Sequence, residues 1–177
     1  MRWLWLMFVL WLAGCSGVPE GLQPVSGFQL PRYLGRWYEI ARLDHRFERG
    51  LNQVSADYRL RSDGRVEVIN RGYDPVKAEW RTARGVARFQ GAQDIGSLEV
   101  SFFGPFYGAY NVLALDTDYR YALVAGPNRD YLWILARDPQ LDPAIRTRLV
   151  AQANAWGFAT GALIYVDQTQ GVKEVGR

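Results

Sequence analysis

The sequence predicts an all-β fold of eight antiparallel strands in a meander, followed by one α-helix and a short ninth strand. From about residue 30 to residue 137, short segments of mixed apolar and polar residues are broken at intervals by Gly, Pro, Asn or Asp, as in strands joined by turns. Aromatic residues make up 14% of the chain, and most of them lie in these segments, which indicates a large apolar interior. This composition favours a barrel or a sandwich.

Turn signals bound the predicted strands. The clearest hairpin turn is Ser-Asp-Gly at 62–64, and Asp-Thr-Asp at 116–118 forms a second corner. The predicted strands are 37–43, 53–61, 65–72, 79–90, 96–103, 109–115, 120–125 and 131–137. Both turns predict short links between consecutive strands, so the chain is expected to run up and down.

The pattern changes after residue 138, where apolar residues recur at helical spacing. These residues are Ile145, Leu149, Ala153 and Trp156. Gly157 follows as a stop signal, so we predict a helix over 143–156 whose apolar stripe packs against the sheet. A last short strand is predicted over 163–167, on an edge that the meander leaves open.

The first residues have the order of a secretory leader. Arg2 is followed by the uncharged apolar run 3–12 and by the small residues Ala13 and Gly14. The run is about half as long as a helix that spans a bilayer. We therefore predict that residues 1–14 are a cleaved signal peptide.

The end of this leader resembles the lipobox of bacterial lipoproteins. Leu12 to Gly14 precede Cys15, the only cysteine of the chain, which cannot form an internal disulfide. The resemblance implies that Cys15 receives a diacylglycerol, becomes the new N-terminus and anchors the protein in a membrane. Ser16 after the cysteine implies delivery to the outer membrane, with the barrel facing the periplasm. The Gly- and Pro-containing stretch 15–29 is predicted to be a tether, and 30–177 the folded domain.

Charge and composition exclude several classes of function. The net charge of +3 comes from 21 basic and 18 acidic residues mixed along the chain, without the basic stripe that a nucleic-acid surface needs. His45 is the only histidine and lies in a charged loop, and the only cysteine is committed to acylation. We therefore predict no Cys/His pair, no Ser/His/Asp triad and no His-based metal or haem site. We expect no nucleic-acid partner, no catalytic residue, no metal and no cofactor.

Three short motifs mark the strands. They are Gly35 and Trp37 at the start of the first strand, Thr117, Asp118 and Tyr119 in a loop between two strands, and Arg137 at the end of the eighth strand. In this order they resemble the three motifs of lipocalins. The stretches DHRFERG (44–50), SFFGPFY (101–107) and DYLWIL (130–135) resemble the outer-membrane lipoprotein branch, the bacterial lipocalins. The resemblance spans roughly 28–168 and implies an eight-stranded up-and-down barrel.

The motif residues are expected to be structural. Trp37 would fill the tapered base of the barrel, with the guanidinium of Arg137 over its ring. Gly35 suits a place where the chain passes close beneath the barrel, since it has no Cβ. Because one end is sealed, a ligand would enter at the other end, among loops such as 44–53 and 104–108.

Alternation along the strands, phased by Trp37 and by the family pattern, predicts which residues face the interior. These candidate ligand-binding residues are Glu39, Ala41, Ala56, Tyr58, Val66, Val68, Ala87, Phe89, Val100, Phe102, Tyr110, Val112, Ala122, Val124, Trp133 and Leu135. Nearly all are apolar or aromatic, and each side chain either lines a cavity or packs a dry core. Glu39 is the exception: it either binds a polar head group or bonds a buried tyrosine hydroxyl, that of Tyr58 or Tyr110.

The predicted function is binding rather than catalysis. The family resemblance implies a fatty acid or lysophospholipid as the ligand, stored or transported in the cell envelope. Basic residues near the mouth, Arg42, Arg46, Arg49 and Arg71, are candidates to attract a carboxylate or phosphate. Two alternatives stay open, a cell-envelope scaffold with a filled barrel and a lipid-modifying enzyme. The aromatic stretch 102–107 fits either a homodimer contact or an apolar lip for the ligand.

Overall fold

The computed structural model describes residues 17–169, in which eight antiparallel strands form a closed barrel. The strands are β1 (Gly35–Arg42), β2 (Asn52–Leu60), β3 (Val66–Asp74), β4 (Glu79–Phe89), β5 (Ser97–Phe103), β6 (Phe106–Leu115), β7 (Tyr121–Ala125) and β8 (Leu132–Ala136). Each strand pairs with the next along the chain, and β1 pairs with both β8 and β2. The predicted up-and-down barrel is confirmed.

The strand bounds differ most from the prediction at β6. It begins at Phe106, three residues earlier than predicted, because Phe106 pairs with Phe103 across a tight hairpin. A ninth strand, β9 (Ile164–Tyr165), pairs with Ala41 and Arg42 of β1, beyond the part of β1 that pairs with β2. The predicted short last strand is thus present. It pairs with the end of β1, where β1 and β2 have diverged and are no longer paired.

Two α-helices flank the barrel. The helix α2 (Pro143–Ala155) begins at Asp142, whose carboxylate accepts hydrogen bonds from the first backbone amides, and it buries Leu149 and Ala153 against the outer wall. The single-turn helix α1 (Leu30–Tyr33), which the sequence did not predict, lies beneath the barrel. Within residues 17–169, no helix is both long and apolar enough to cross a membrane.

The segment before α1 belongs to the folded domain. Pro19 and Phe28 are buried, and the amides of Val25 and Phe28 donate to the carbonyls of Val112 and Asp94. The predicted tether 15–29 is therefore packed onto the barrel from residue 17 onward, since its backbone groups pair with those of the strands although its composition resembles a linker. The leader 1–14 and Cys15 lie outside the described residues, so cleavage and lipidation stay predictions.

The buried apolar side chains form two main clusters. The interior cluster fills the part of the barrel above α1 with residues from each of the strands β1 to β8. The outer cluster lies between α2 and the outward faces of β1, β6, β7 and β8. The barrel therefore has one wall that is buried on both sides, and two strands of that wall, β7 and β8, are continuous apolar runs.

A bulge in β1 changes which residues face the interior. Glu39 pairs with Leu135, but the next matched pair is Ala41 with Ile134, so β1 carries one extra residue against β8. Ala41 consequently joins Ile134 in the outer cluster, and the side chain of Arg42 becomes buried beside Glu39. The prediction that Ala41 faces the interior is wrong, because strict alternation assumes an unbroken pleat.

Candidate ligand-binding barrel interior

The first and third motifs close one end of the barrel, referred to below as the closed end. Trp37 is fully buried and its Nε1 donates to the carbonyl of Tyr33 over 2.8 Å. The Cζ atom of Arg137 lies 4.0 Å from the Trp37 ring centroid, and its Nη1 and Nη2 donate to the carbonyls of Arg36 and Arg32. These bonds hold α1 against the first strand as a floor.

Gly35 and the second motif complete this floor. Gly35 has a φ of +92°, and a Cβ at this position would lie 3.4 Å from Nη1 of Arg137. The Tyr119 hydroxyl accepts a bond from the amide of Gln29, and the carbonyl of Thr117 accepts one from Arg32. Motif residues from distant parts of the chain thus meet at the closed end.

Asp116, which the sequence singled out only as part of a turn, organises the second motif. Its carboxylate accepts bonds from the amides of Asp118 and Arg120 and from the Arg120 guanidinium, whose Nε lies 2.7 Å from Oδ2. The hydrogen bonds from Arg120 lower the pKa of Asp116 to about 2, although burial acts in the opposite direction. The side chain of Asp118 itself is exposed.

The interior holds the apolar residues that were predicted to face it. Those that lie in the interior cluster or pack against it are Ala56, Tyr58, Val66, Val68, Ala87, Phe89, Val100, Phe102, Tyr110, Val112, Ala122, Val124, Trp133 and Leu135. Their direction is therefore as predicted, and their contact with a ligand stays a prediction.

Solvent access differs within this set. Val112, Ala122 and Val124 are fully buried. Ala56 and Trp133, which face the same interior, keep part of their surface accessible to water. Water-sized space therefore remains inside the barrel or at its mouth, bordered by apolar side chains.

Three tyrosine hydroxyls form a chain inside the barrel. The hydroxyl of Tyr110 lies 2.7 Å from that of Tyr33 and 3.0 Å from that of Tyr58. Burial raises the pKa of each of these phenols, so they are neutral at physiological pH. Tyr58 and Tyr110 bond to each other and Glu39 bonds to Arg42, so the structure does not show the alternative in which Glu39 bonds one of these tyrosines.

Glu39 is instead paired with Arg42. The Nη1 of Arg42 lies 2.6 Å from Oε1 of Glu39, and both side chains are almost fully buried. The Nη2 of Arg42 donates to the carbonyls of Glu48 and Leu51, which belong to the loop 43–51. Arg42 thus ties this loop to the inner wall, whereas the sequence had placed Arg42 at the rim.

A second carboxylate lies beside this pair. Burial and the charge of Glu48 raise the pKa of Glu39 well above its ordinary value, and the guanidinium of Arg42 only partly offsets them. Burial alone would raise the pKa of Glu48 too, but the adjacent His45 ring and the hydrogen bond from Trp133 lower it. Of the two carboxyl groups, Glu39 is therefore the harder one to ionise and Glu48 the easier one.

The loop 43–51 folds over part of the other end of the barrel, referred to below as the open end. His45 is buried, its Nε2 lies 3.0 Å from Oε2 of Glu48, and its ring packs edge-on against Trp133 at 5.1 Å. The indole Nε1 of Trp133 donates to the same carboxylate over 3.1 Å. This polar cluster at the mouth consists of Glu39, Arg42, His45, Glu48 and Trp133.

This combination of barrel, floor and inward residues identifies the family. A family model described as "Lipocalin-like domain" matches residues 28–168. The chain is a lipocalin. It is 53% identical over 158 residues to the outer membrane lipoprotein Blc of Vibrio cholerae, which covers 89% of this chain and 92% of that protein. Blc of Escherichia coli strain K12 is also 53% identical, over 150 residues and 85% of each chain.

More distant relatives share the same domain. This lipocalin is 35% identical over 162 residues to mouse apolipoprotein D, covering 81% of this chain and 84% of the relative. Insecticyanin from the tobacco hornworm Manduca sexta superimposes with a TM-score of 0.69 at 21% identity over 87% of this chain and 88% of that chain, which shows the fold. Lipocalins are binding proteins, so family membership confirms the prediction that the chain is not an enzyme.

The sequence missed the cluster at the mouth of this lipocalin. His45 was predicted only to lie in a charged loop, and Glu48 was not singled out. The DHRFERG stretch, which contains both, was the one signal that this loop is special. The other basic residues proposed for the rim have partners of their own: Arg49 pairs with Asp44 over 2.8 Å, and Arg71 lies over the Trp80 ring. They are better described as solvated or stacked surface cations than as a ready anion site.

Proposed function

We propose that this lipocalin is a lipoprotein of the outer membrane, anchored through Cys15 with its barrel in the periplasm, that stores or transports a fatty acid or a lysophospholipid. The observation that supports the ligand is the apolar interior, sealed at the closed end by Trp37 and accessible at the open end. The printed names of the Vibrio and Escherichia relatives support the anchor and its location.

Physical reasoning favours an acyl chain over a polar ligand in the lower barrel. The partly accessible residues that pack against the interior cluster include Ala56, Val100 and Phe102, and they offer apolar surface. Burying a chain against such surface gains about 0.8 kcal/mol per methylene. A charged head group would then lie towards the open end, where the polar cluster at the mouth provides hydrogen-bonding groups.

Ligand titration tests the binding proposal. Residues 16–177, produced without the anchor and delipidated, are titrated with fatty acids and lysophospholipids while tryptophan fluorescence is followed. Trp133 is the reporter and the buried Trp37 is background. Ala56→Phe fills accessible interior space and should abolish saturable binding, whereas Ala92→Phe, on an exposed loop at the closed end, should bind like the wild type.

A stable delipidated barrel that shows neither a fluorescence response nor heat on titration would replace the carrier with a scaffold whose barrel is filled. Binding that survives Ala56→Phe would place the ligand elsewhere.

Metabolic labelling tests the anchor. Radiolabelled palmitate should enter the wild-type chain and fail to enter Cys15→Ala, which should also lose its association with the membrane fraction. Label in the Cys15→Ala chain would contradict lipidation at this residue.

A further inference from the structure

The hairpin between β5 and β6 ends in an exposed apolar tip. Residues 102–110 carry no charge, and Phe103 and Phe106, which pair at the tip, are 74% and 78% exposed. Clustered aromatic side chains with this exposure usually mark a contact with a partner or a membrane.

Two other connections at the open end share this feature. In the loop 43–51, Phe47 is 60% exposed, and in the loop 75–78, Val76 is 92% exposed. Because the barrel runs up and down, these loops and the hairpin tip all lie at the end opposite Trp37. The exposed apolar groups therefore form a discontinuous rim around the mouth, the apolar rim, made of Phe47, Val76, Phe103 and Phe106.

Basic side chains accompany the apolar rim. Arg46 lies over the ring of Phe47 at 4.9 Å, and Lys77 follows Val76. Arg88 lies over the ring of Tyr107 at 4.3 Å and is ion-paired with Glu99, whose Oε1 lies 2.6 Å from its Nε. Aromatic rings beside cations are typical of the interfacial layer of a bilayer, where anionic head groups attract the cations.

The N-terminal end of the described chain packs between β6, the second strand of the hairpin, and Gln90, which follows β4. The carbonyl of Gly17 accepts a bond from the Asn111 side chain, which also bonds the carbonyl of Gly126 at the start of an open-end loop. A Cβ at Gly17 would lie 3.1 Å from that of Ala109. Along β6, Phe106 is three residues from Ala109, about 10 Å.

The anchor residue is close to this point by covalent geometry alone. Cys15 precedes Gly17 by two residues, which span at most about 7 Å. A lipid on Cys15 therefore lies within about 20 Å of the tip of the β5–β6 hairpin, whatever path those two residues take.

We propose that the apolar rim docks on the surface of the lipid bilayer that holds the anchor, with the β5–β6 hairpin inserted among the head groups and the barrel mouth facing the membrane. The inference rests on the proposed lipid anchor and adds an orientation to it. In this orientation a lipid passes between the bilayer and the barrel interior without crossing bulk water.

Site-specific fluorescence tests the docking. The lipidated full chain is reconstituted in vesicles of phosphatidylethanolamine and phosphatidylglycerol. With Cys15 acylated, a thiol introduced by Phe106→Cys is the one that reacts with an environment-sensitive dye. Leu60→Cys, an exposed apolar position at the closed end, is the matched control. A lipid-borne quencher should quench the dye at position 106 several-fold more strongly than at position 60, and Phe103→Cys should behave like Phe106→Cys.

Three results would overturn the docking. If protein that floats with the vesicles is quenched equally at positions 60 and 106, the anchor is present but the proposed orientation is wrong. Protein that does not float with the vesicles removes the anchor and the orientation together. Concentration-dependent shielding of position 106 without vesicles assigns the apolar rim to a second copy of the chain.

Discussion

The two ends of the barrel use the same kinds of residue in opposite ways. At the closed end, aromatic rings are buried, and the guanidinium of Arg137 donates to backbone carbonyls and lies over the face of Trp37. At the open end, the ionisable groups of Glu39 and Arg42 are buried while Phe103 and Phe106 are exposed. Folding stability favours buried rings and exposed charges. The reverse arrangement at the open end therefore indicates a region shaped by function rather than by stability.

The carboxylates of the two ends show the same contrast. Hydrogen bonds from Arg120 lower the pKa of Asp116 to about 2 at the closed end. Burial and the charge of Glu48 raise the pKa of Glu39 at the open end. A carboxylate whose oxygens accept hydrogen bonds from several donors stabilises the fold. A buried carboxyl group beside a second one can change its protonation state with pH or when a ligand binds.

The largest expected difference between the ends comes from removing an aromatic ring. Trp37→Ala should lower the free energy of unfolding by about 4 kcal/mol, because it leaves a cavity in the floor. Phe106→Ala should change it by less than about 0.5 kcal/mol, because that ring is exposed. Urea unfolding followed by circular dichroism measures both. Comparable losses would mean that the apolar rim is part of the stabilising core.

Removing one member of the buried Glu39–Arg42 pair at the open end should destabilise the fold more than replacing both members by apolar residues. Arg42→Met leaves Glu39 and two loop carbonyls without their donor and should lower the free energy of unfolding by about 3 kcal/mol. The double variant Glu39→Leu/Arg42→Met removes both buried ionisable side chains and should recover most of that loss. A double variant no more stable than Arg42→Met would show that the guanidinium acts mainly through the loop 43–51.

Cation–π contacts should also differ between the ends. Arg137→Met should cost about 2 kcal/mol, since the contact with Trp37 is largely desolvated, whereas Arg88→Met, beside the exposed Tyr107, should cost about 0.5 kcal/mol. Thermal unfolding of the two variants against the wild type gives the comparison. Equal costs would argue that burial of the ring does not matter here.

The smallest effects concern pH, and they have opposite signs. Glu39 contributes to the free energy of unfolding below its ordinary pKa of 4.5, and this contribution is lost as pH rises through its raised folded-state pKa. The contribution of Asp116 is present above its ordinary pKa of 3.8 and is lost as pH falls towards about 2.

Urea unfolding across the acidic and neutral range should resolve this difference. Glu39→Gln should remove part of the loss of stability that the wild type shows on the alkaline side of pH 4.5, and Asp116→Asn part of the loss on the acidic side of pH 3.8. A Glu39→Gln profile parallel to that of the wild type would contradict the raised pKa.

Local pattern was sufficient for most of the fold. The Ser-Asp-Gly turn at 62–64, the apolar spacing of α2 and the motif residues Gly35, Trp37 and Arg137 all act through near neighbours or through a geometry that recurs in lipocalins. The direction of the side chains on β2 to β8 followed from alternation because the positions chosen lie on regular stretches of those strands.

The sequence by itself thus determined the strand order, the outer helix, the sealed closed end and the apolar character of the interior. Tertiary structure alone decided that Ala41 faces outward, that Arg42 pairs with Glu39 and that the loop 43–51 buries His45. A bulge is set by the balance of pairing and packing across β1 and β8, which no local pattern records. The partners of a buried charge are fixed only when distant segments meet, because charges inside a protein are stable only beside groups that compensate them.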